Sequence, residues 1–128
     1  MDPKGIIIQS SLYTVKETID RLEAFLQQHG ATIYARIDQQ AELQKVGQII
    51  SPLEFIMFGN PKAGGPVIIE NPIAALDLPL KVIAWEDDKK GVFVAYNDAL
   101  YIEERYSLMH NENSPLDLSS LISLALKA

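Results

Sequence analysis

The chain has 128 residues, 48% of them hydrophobic and 22% charged, which is the length and apolar content of one compact domain spanning 1–128. Cysteine is absent, so a disulfide framework and a thiolate zinc site are both excluded. Eleven Lys and Arg stand against 17 Asp and Glu, and the resulting charge of -6 has the wrong sign for a partner built of phosphates, so neither nucleic acid nor an anionic membrane is expected.

The opening apolar run, Ile6 to Ile8, meets polar Gln9-Ser10-Ser11 too soon for a secretory leader, and no apolar stretch approaches the roughly 18 residues of a membrane span. A cytoplasmic protein is the expectation. Gly5 to Gln9 reads as a strand that is apolar on both faces. Thr14-Val15-Lys16-Glu17 is a capping box, in which the hydroxyl and the carboxylate satisfy each other's backbone donors at a helix start. Val15, Ile19, Leu22 and Leu26 then form one apolar stripe, and Gly30 supplies the left-handed residue that ends the helix. Thr32 to Asp38 alternates as a strand, and Gln40 to Val46, closed by Gly47, suits a short helix or turn.

Glu54 to Phe58 reads as a buried strand, Pro66 to Glu70 as a weak edge strand, and Leu80 to Glu86 as another strand. Asp87-Asp88-Lys89-Lys90-Gly91 turns the chain into Val92 to Tyr96, forming a hairpin. Asn97-Asp98 offers N-caps for a helix to about Leu108, and Ser114-Pro115-Leu116-Asp117 reads as the opening of a last helix carrying Leu118, Leu121, Ile122 and Ala125. The order describes an α+β fold with an antiparallel sheet and helices on one face.

Alternation assigns Ile33, Ala35, Ile37, Phe55, Met57, Val82, Ala84, Val92 and Val94 to the face beneath the helices. Tyr34, Ile56, Phe58, Ile83, Trp85 and Phe93 then project from the other face, which is too apolar for solvent. A cover is needed there. Either a second copy of the chain or the C-terminal helix must provide it, and a homodimer is the expectation; an interface is preferred over a ligand floor for the aromatic residues.

Phe58-Gly59-Asn60-Pro61-Lys62-Ala63-Gly64, then Asn71-Pro72-Ile73-Ala74-Ala75-Leu76-Asp77-Leu78-Pro79-Leu80-Lys81, then Trp85-Glu86-Asp87 and Tyr96-Asn97-Asp98 stand in one order along the chain. That ordered combination resembles the family called domain of unknown function 302, from Gly5 to about Leu108. The resemblance implies a TBP-like arrangement, β-α-β4-α with a curved antiparallel sheet, to which this chain adds its C-terminal helix. Dimers are implied as well, and no activity is. Gln39 and Tyr106 stand where related sequences often place histidine, so the resemblance carries over no histidine-based site.

The loop from Gly59 to Pro66 is the best chemical candidate: Gly64-Gly65 permits close approach of a ligand to the backbone, and Lys62 supplies a cation. The candidate ligand-binding residues are Asn60, Lys62, Gly64, Gly65 and Asp77, for a small anionic or apolar ligand. As turn formers the same residues have a purely structural role, and the spacing is not that of a P-loop. Asp38, Asp77, Glu86 and Asp87 are the carboxylates from which acid and base work would have to be drawn. His29 and His110 are too few for a metal centre, so no metal or cofactor is expected. The reading is a small homodimeric binding or interaction module; the alternative is a hydrolase or isomerase using carboxylates near the Gly59–Pro66 loop.

Overall fold

In the computed structural model, which describes residues 3–127, the expected ends of the domain at Met1, Asp2 and Ala128 lie outside the described residues. Five strands, β1 (Ile6–Ser11), β2 (Thr32–Asp38), β3 (Leu53–Gly59), β4 (Leu80–Glu86) and β5 (Val92–Asn97), pair antiparallel in the order β1-β5-β4-β3-β2. The helices are α1 (Val15–Gln28), α2 (Gln39–Gln44), α3 (Pro61–Glu70), α4 (Ala99–Arg105) and α5 (Ser119–Ala125), with a 3₁₀ helix over Pro72–Asp77. The α+β class follows. No helix among the described residues is long and apolar enough to cross a membrane.

Local chemistry explains most of the boundaries. Thr14 Oγ1 accepts from Glu17 N at 3.1 Å while Glu17 Oε1 accepts from Thr14 N at 3.1 Å, so the capping box forms at α1. Hydrogen bonding from Thr14, its backbone N–H first and its hydroxyl second, holds the Glu17 carboxyl below its usual pKa. Gly30 has φ +86°, the left-handed conformation that ends α1. Asp38 caps α2 through Ala41 N at 2.9 Å. In the hairpin, Asp87 Oδ1 accepts from Lys89 N and Gly91 N at 2.9 and 2.8 Å, which locks the five-residue turn.

The faces of the sheet need correcting. Pairing places Ile56 opposite Val82 and Phe58 opposite Leu80, so Ile56 and Phe58 lie beneath the helices, and Phe55 and Met57 lie on the outer face. The one-residue inversion arose because β3 is apolar at nearly every position, leaving alternation nothing to read. On β2 a bulge at Tyr34 puts two residues opposite one, so Ile33 and Arg36 both take the inner side while Ala35 and Ile37 pair with Met57 and Phe55 on the outer one.

Arg36 is accommodated there by acids. Its guanidinium donates to Asp20 and Glu23 of α1 at 2.7 and 3.0 Å and to Glu54 of β3 at 3.2 Å. Hydrogen bonds from Lys16 and then Arg36 hold the Asp20 carboxyl below its ordinary 3.8. A lowered carboxyl pKa adds stability above the unfolded value and loses it as pH falls through the folded one. Arg36→Met, which strands the buried Glu54 carboxylate, is expected to cost about 1–3 kcal/mol at pH 7. In urea titrations that penalty should shrink as pH falls below the ordinary Asp value of 3.8, where Asp20 protonates; a penalty that is constant with pH refutes the account.

One core joins the inner face to α1, α4 and α5, with Ile19, Leu22, Ile102 and Ile122 fully enclosed beside Ile56, Val82 and Val94. The last helix starts later than expected. Ser114 Oγ accepts from Leu116 N within a turn, and α5 begins at Ser119. It lies on the helical side: Arg21 Nε of α1 donates to Ala125 O at 3.0 Å, and Tyr96 Oη donates to Ser119 Oγ at 3.1 Å. Arg21 on α1 and inner-face Tyr96 on β5, together with Gln9 on β1, whose Oε1 accepts from Ser123 Oγ at 3.0 Å, keep it away from the outer face.

Candidate functional site

Where β3 ends and β4 begins lies an open cleft of about 570 Å³. Phe58, Gly59 and Leu80 contribute from the sheet, Leu26 and His29 from the end of α1, Ala63, Gly64, Gly65 and Ile68 from α3, and Ser114 to Leu118 from the segment before α5. Its size falls within the roughly 300–1,000 Å³ common for small-molecule sites, and its walls are mainly apolar.

The expected Gly59–Pro66 loop is in fact the entry to α3, and the expected Pro66–Glu70 strand is the second half of that helix. Asn60 is the reason. Its Oδ1 accepts from Lys62 N at 3.0 Å, its carbonyl accepts from Ala63 N and Gly64 N at 2.9 and 2.7 Å, and Pro61 fits the first helical position. Gly64, Gly65 and Pro66 had pointed to a loop because glycine and proline are poor interior helix residues, and the tertiary setting overrides that preference.

This geometry bears on anion binding. Pro61 has no N–H, and those of Lys62, Ala63 and Gly64 are taken up by Asn60, so the first turn of α3 presents no free backbone donor to an oxyanion. Asn60, Gly64 and Gly65 line the cleft, whereas Lys62 is exposed and outside its lining. Asp77 is also outside the lining, at the end of the 3₁₀ helix, where Oδ2 accepts from Tyr106 Oη and from Arg105 Nη1 at 3.1 Å. The bond to Asp77 raises the Tyr106 phenol pKa above its ordinary value. Together with Asn71 Nδ2, which donates to Tyr106 O at 2.7 Å, it fastens the 3₁₀ helix to α4.

Of the polar residues of the cleft, His29, Ser114 and Asp117 carry no site signal in the sequence, and Tyr34, for which an interface was preferred over a ligand floor, lines it as well. His29 Nδ1–H donates to Phe25 O at 2.8 Å and its ring stacks on Phe25 at 4.2 Å, which leaves Nε2 as the unprotonated nitrogen of the neutral ring. Tyr34 reaches the cleft from the bulge, its ring beside Gly59. Asp117 Oδ1 accepts from Ser119 N at 3.1 Å. No spacing in the sequence links 29, 34 and 117; only the folded sheet brings their elements to one end.

A second, smaller cleft of about 380 Å³ lies on the other side of α3 from these groups, bordered by Pro66, Val67 and Glu103. Buried Glu103 accepts from His110 Nδ1 and Asn111 N at 3.0 and 3.2 Å, and Glu70 accepts from Met109 N at 2.7 Å. These carboxylates hold the segment after α4 in place.

Comparison with known proteins adds three findings. The family model described as Domain of unknown function DUF302 matches residues 7–118. A crystal structure of an uncharacterized conserved DUF302 protein from Bacillus stearothermophilus superposes with a TM-score of 0.81 at 18% identity, covering 97% of each chain, which shows a shared fold. Proteins named fluoride-specific ion channel FluC 1 from Brucella suis and Brucella abortus are each 34% identical over 104 residues, or 81% of this chain. The match spans 41% and 38% of their respective lengths, so the chain corresponds to about two-fifths of each.

Proposed function

Given that the chain belongs to the domain of unknown function DUF302 family, whose name assigns no activity, we propose that it is a cytoplasmic, homodimeric binding module that holds an apolar small molecule in the cleft beside α3. The observation that carries this reading is the pair of helical glycines on the lining. Each costs about 1 kcal/mol relative to alanine in a helix interior, yet a Cβ at Gly64 or Gly65 would meet nothing within 4 Å. Packing within the fold does not require them to be bare. A ligand lying against that turn of the helix would.

Gly64→Ala and Gly65→Ala are therefore expected to raise stability by up to about 1 kcal/mol each in urea titrations. Gly65→Leu, which puts a branched side chain on the lining, should remain folded and bind the neutral fluorescent probe N-phenyl-1-naphthylamine at least tenfold more weakly than the wild type. Unchanged probe affinity in Gly65→Leu would count against the cleft as the site.

The dimer rests on the outer sheet face. Ile8, Met57, Ile83, Trp85, Phe93 and Ala95 share it, all partly exposed, beside Phe55, which is buried there. The hydrolase or isomerase alternative draws less support, since Asp117 is the lone carboxylate on the lining among the described residues and Asp77 is engaged by Tyr106 and Arg105. For the fluoride-channel relatives we propose that the shared segment is likewise an appended binding module.

A further inference from the structure

Resting on the binding reading above, we infer that the cleft selects an apolar organic cation, such as an amine or quaternary onium ion with a hydrocarbon body, over an organic anion. Asp117 is the single charged side chain among the described lining residues, and no lysine or arginine joins it there. Its Oδ1 is committed to Ser119 N, while Oδ2 has no hydrogen-bond partner among the described residues. A carboxylate so placed can meet a cation at the cleft.

The backbone agrees in sign. The 14-residue α1 ends at the cleft with no basic residue in its last turn, so its dipole has the sign that favours a cation, in weakened form because the N–H groups of His29, Gly30 and Ala31 already occupy the carbonyls of Phe25, Leu26 and Gln27. The opposing contribution would come from the start of α3, but Lys62, Ala63 and Gly64 already spend their N–H groups on Asn60. Tyr34, 52% exposed, offers an aromatic ring to an onium group, and His29 Nε2 can accept from an ammonium N–H. Since Asp117 is exposed, screening by solvent and salt limits the preference, and the overall charge of -6 adds only a diffuse attraction for any cation.

Tetraphenylphosphonium and tetraphenylborate, which share size and shape and differ in sign, test the inference by calorimetry on the full chain. At an ionic strength of about 0.02 M the phosphonium is expected to bind roughly tenfold or more tightly, and the ratio should shrink as salt is added. Asp117→Asn keeps the oxygen that accepts from Ser119 N, so the fold is retained, and it should bring the ratio close to one. Asp88→Asn removes the same charge from the hairpin at the far end of β4 and should leave the ratio in place. Equal or tighter binding of the borate overturns the inference, as does a ratio that survives in Asp117→Asn or collapses equally in Asp88→Asn. If neither probe binds, the binding reading itself falls; if both bind alike, only the selectivity does.

Discussion

Leu22→Ala should cost about 4–5 kcal/mol and Leu26→Ala about 2–3 kcal/mol, although the two are neighbours on one helical stripe. Leu22 is 0% exposed and enclosed on all sides by the core, so truncation leaves a cavity that a sheet and three helices cannot readily close. Leu26 is 2% exposed but borders the cleft, where solvent and the loosely built α3 can take up part of the lost volume. Urea titration followed through the fluorescence of Trp85, which sits on the outer face away from both sites, measures the two costs. Leu26→Ala should also alter N-phenyl-1-naphthylamine binding while Leu22→Ala does not. Equal costs, or a probe response at Leu22 alone, would show that the cleft does not reach α1.

Phe93→Lys should convert a dimer into folded monomers. Five strands about 4.8 Å apart and six or seven residues long present a face of roughly 400–500 Å², the size of the largest apolar patches on proteins, which are often functional. Phe93 lies within it, its ring 5.7 Å from that of Trp85 and opposite it in the pairing. Lys81 is the one charged strand residue facing outward near them, with Nζ 4.4 Å from the Phe55 ring centre, so the patch carries little of the -6 charge that would keep two copies apart. Because Phe93 lies on the face turned away from the core, lysine there should leave the unfolding midpoint of the monomer nearly unchanged. Sedimentation velocity at high micromolar concentration should give twice the 14.2 kDa chain mass for the wild type and the single mass for Phe93→Lys. A wild type that sediments as a monomer sinks the proposal, as does a variant that remains dimeric.

What could be read along the chain was whatever is decided by residues a few positions apart. The capping box at Thr14, the stop at Gly30, the limits of β2, and the Asp87–Gly91 hairpin each depend on hydrogen bonds or dihedral preferences contained within a short window. The α3 region misled for the same reason. Its local preferences are those of a loop, and ten residues become helical because Asn60 closes the first turn while Val67 packs on the core. Ser114 misled in the opposite way, since a good capping residue was used for a turn and α5 started five residues later.

By itself, then, the sequence determined the α+β class, the buried stripe of α1 and the family, and it pointed to a second sheet face rich in apolar residues. Tertiary structure alone decided which residues occupy each face, because β3 is apolar on both sides and a bulge at Tyr34 shifts β2 by one position. It also decided the cleft. His29, Tyr34, Gly64 and Asp117 come from four separate segments, and they share a wall only because antiparallel pairing returns the ends of β3 and β4 to the side where α1 stops and α5 starts. Contacts between residues tens of positions apart leave no periodic trace along the chain, since their cost is loop closure and their gain is burial, both properties of the folded whole.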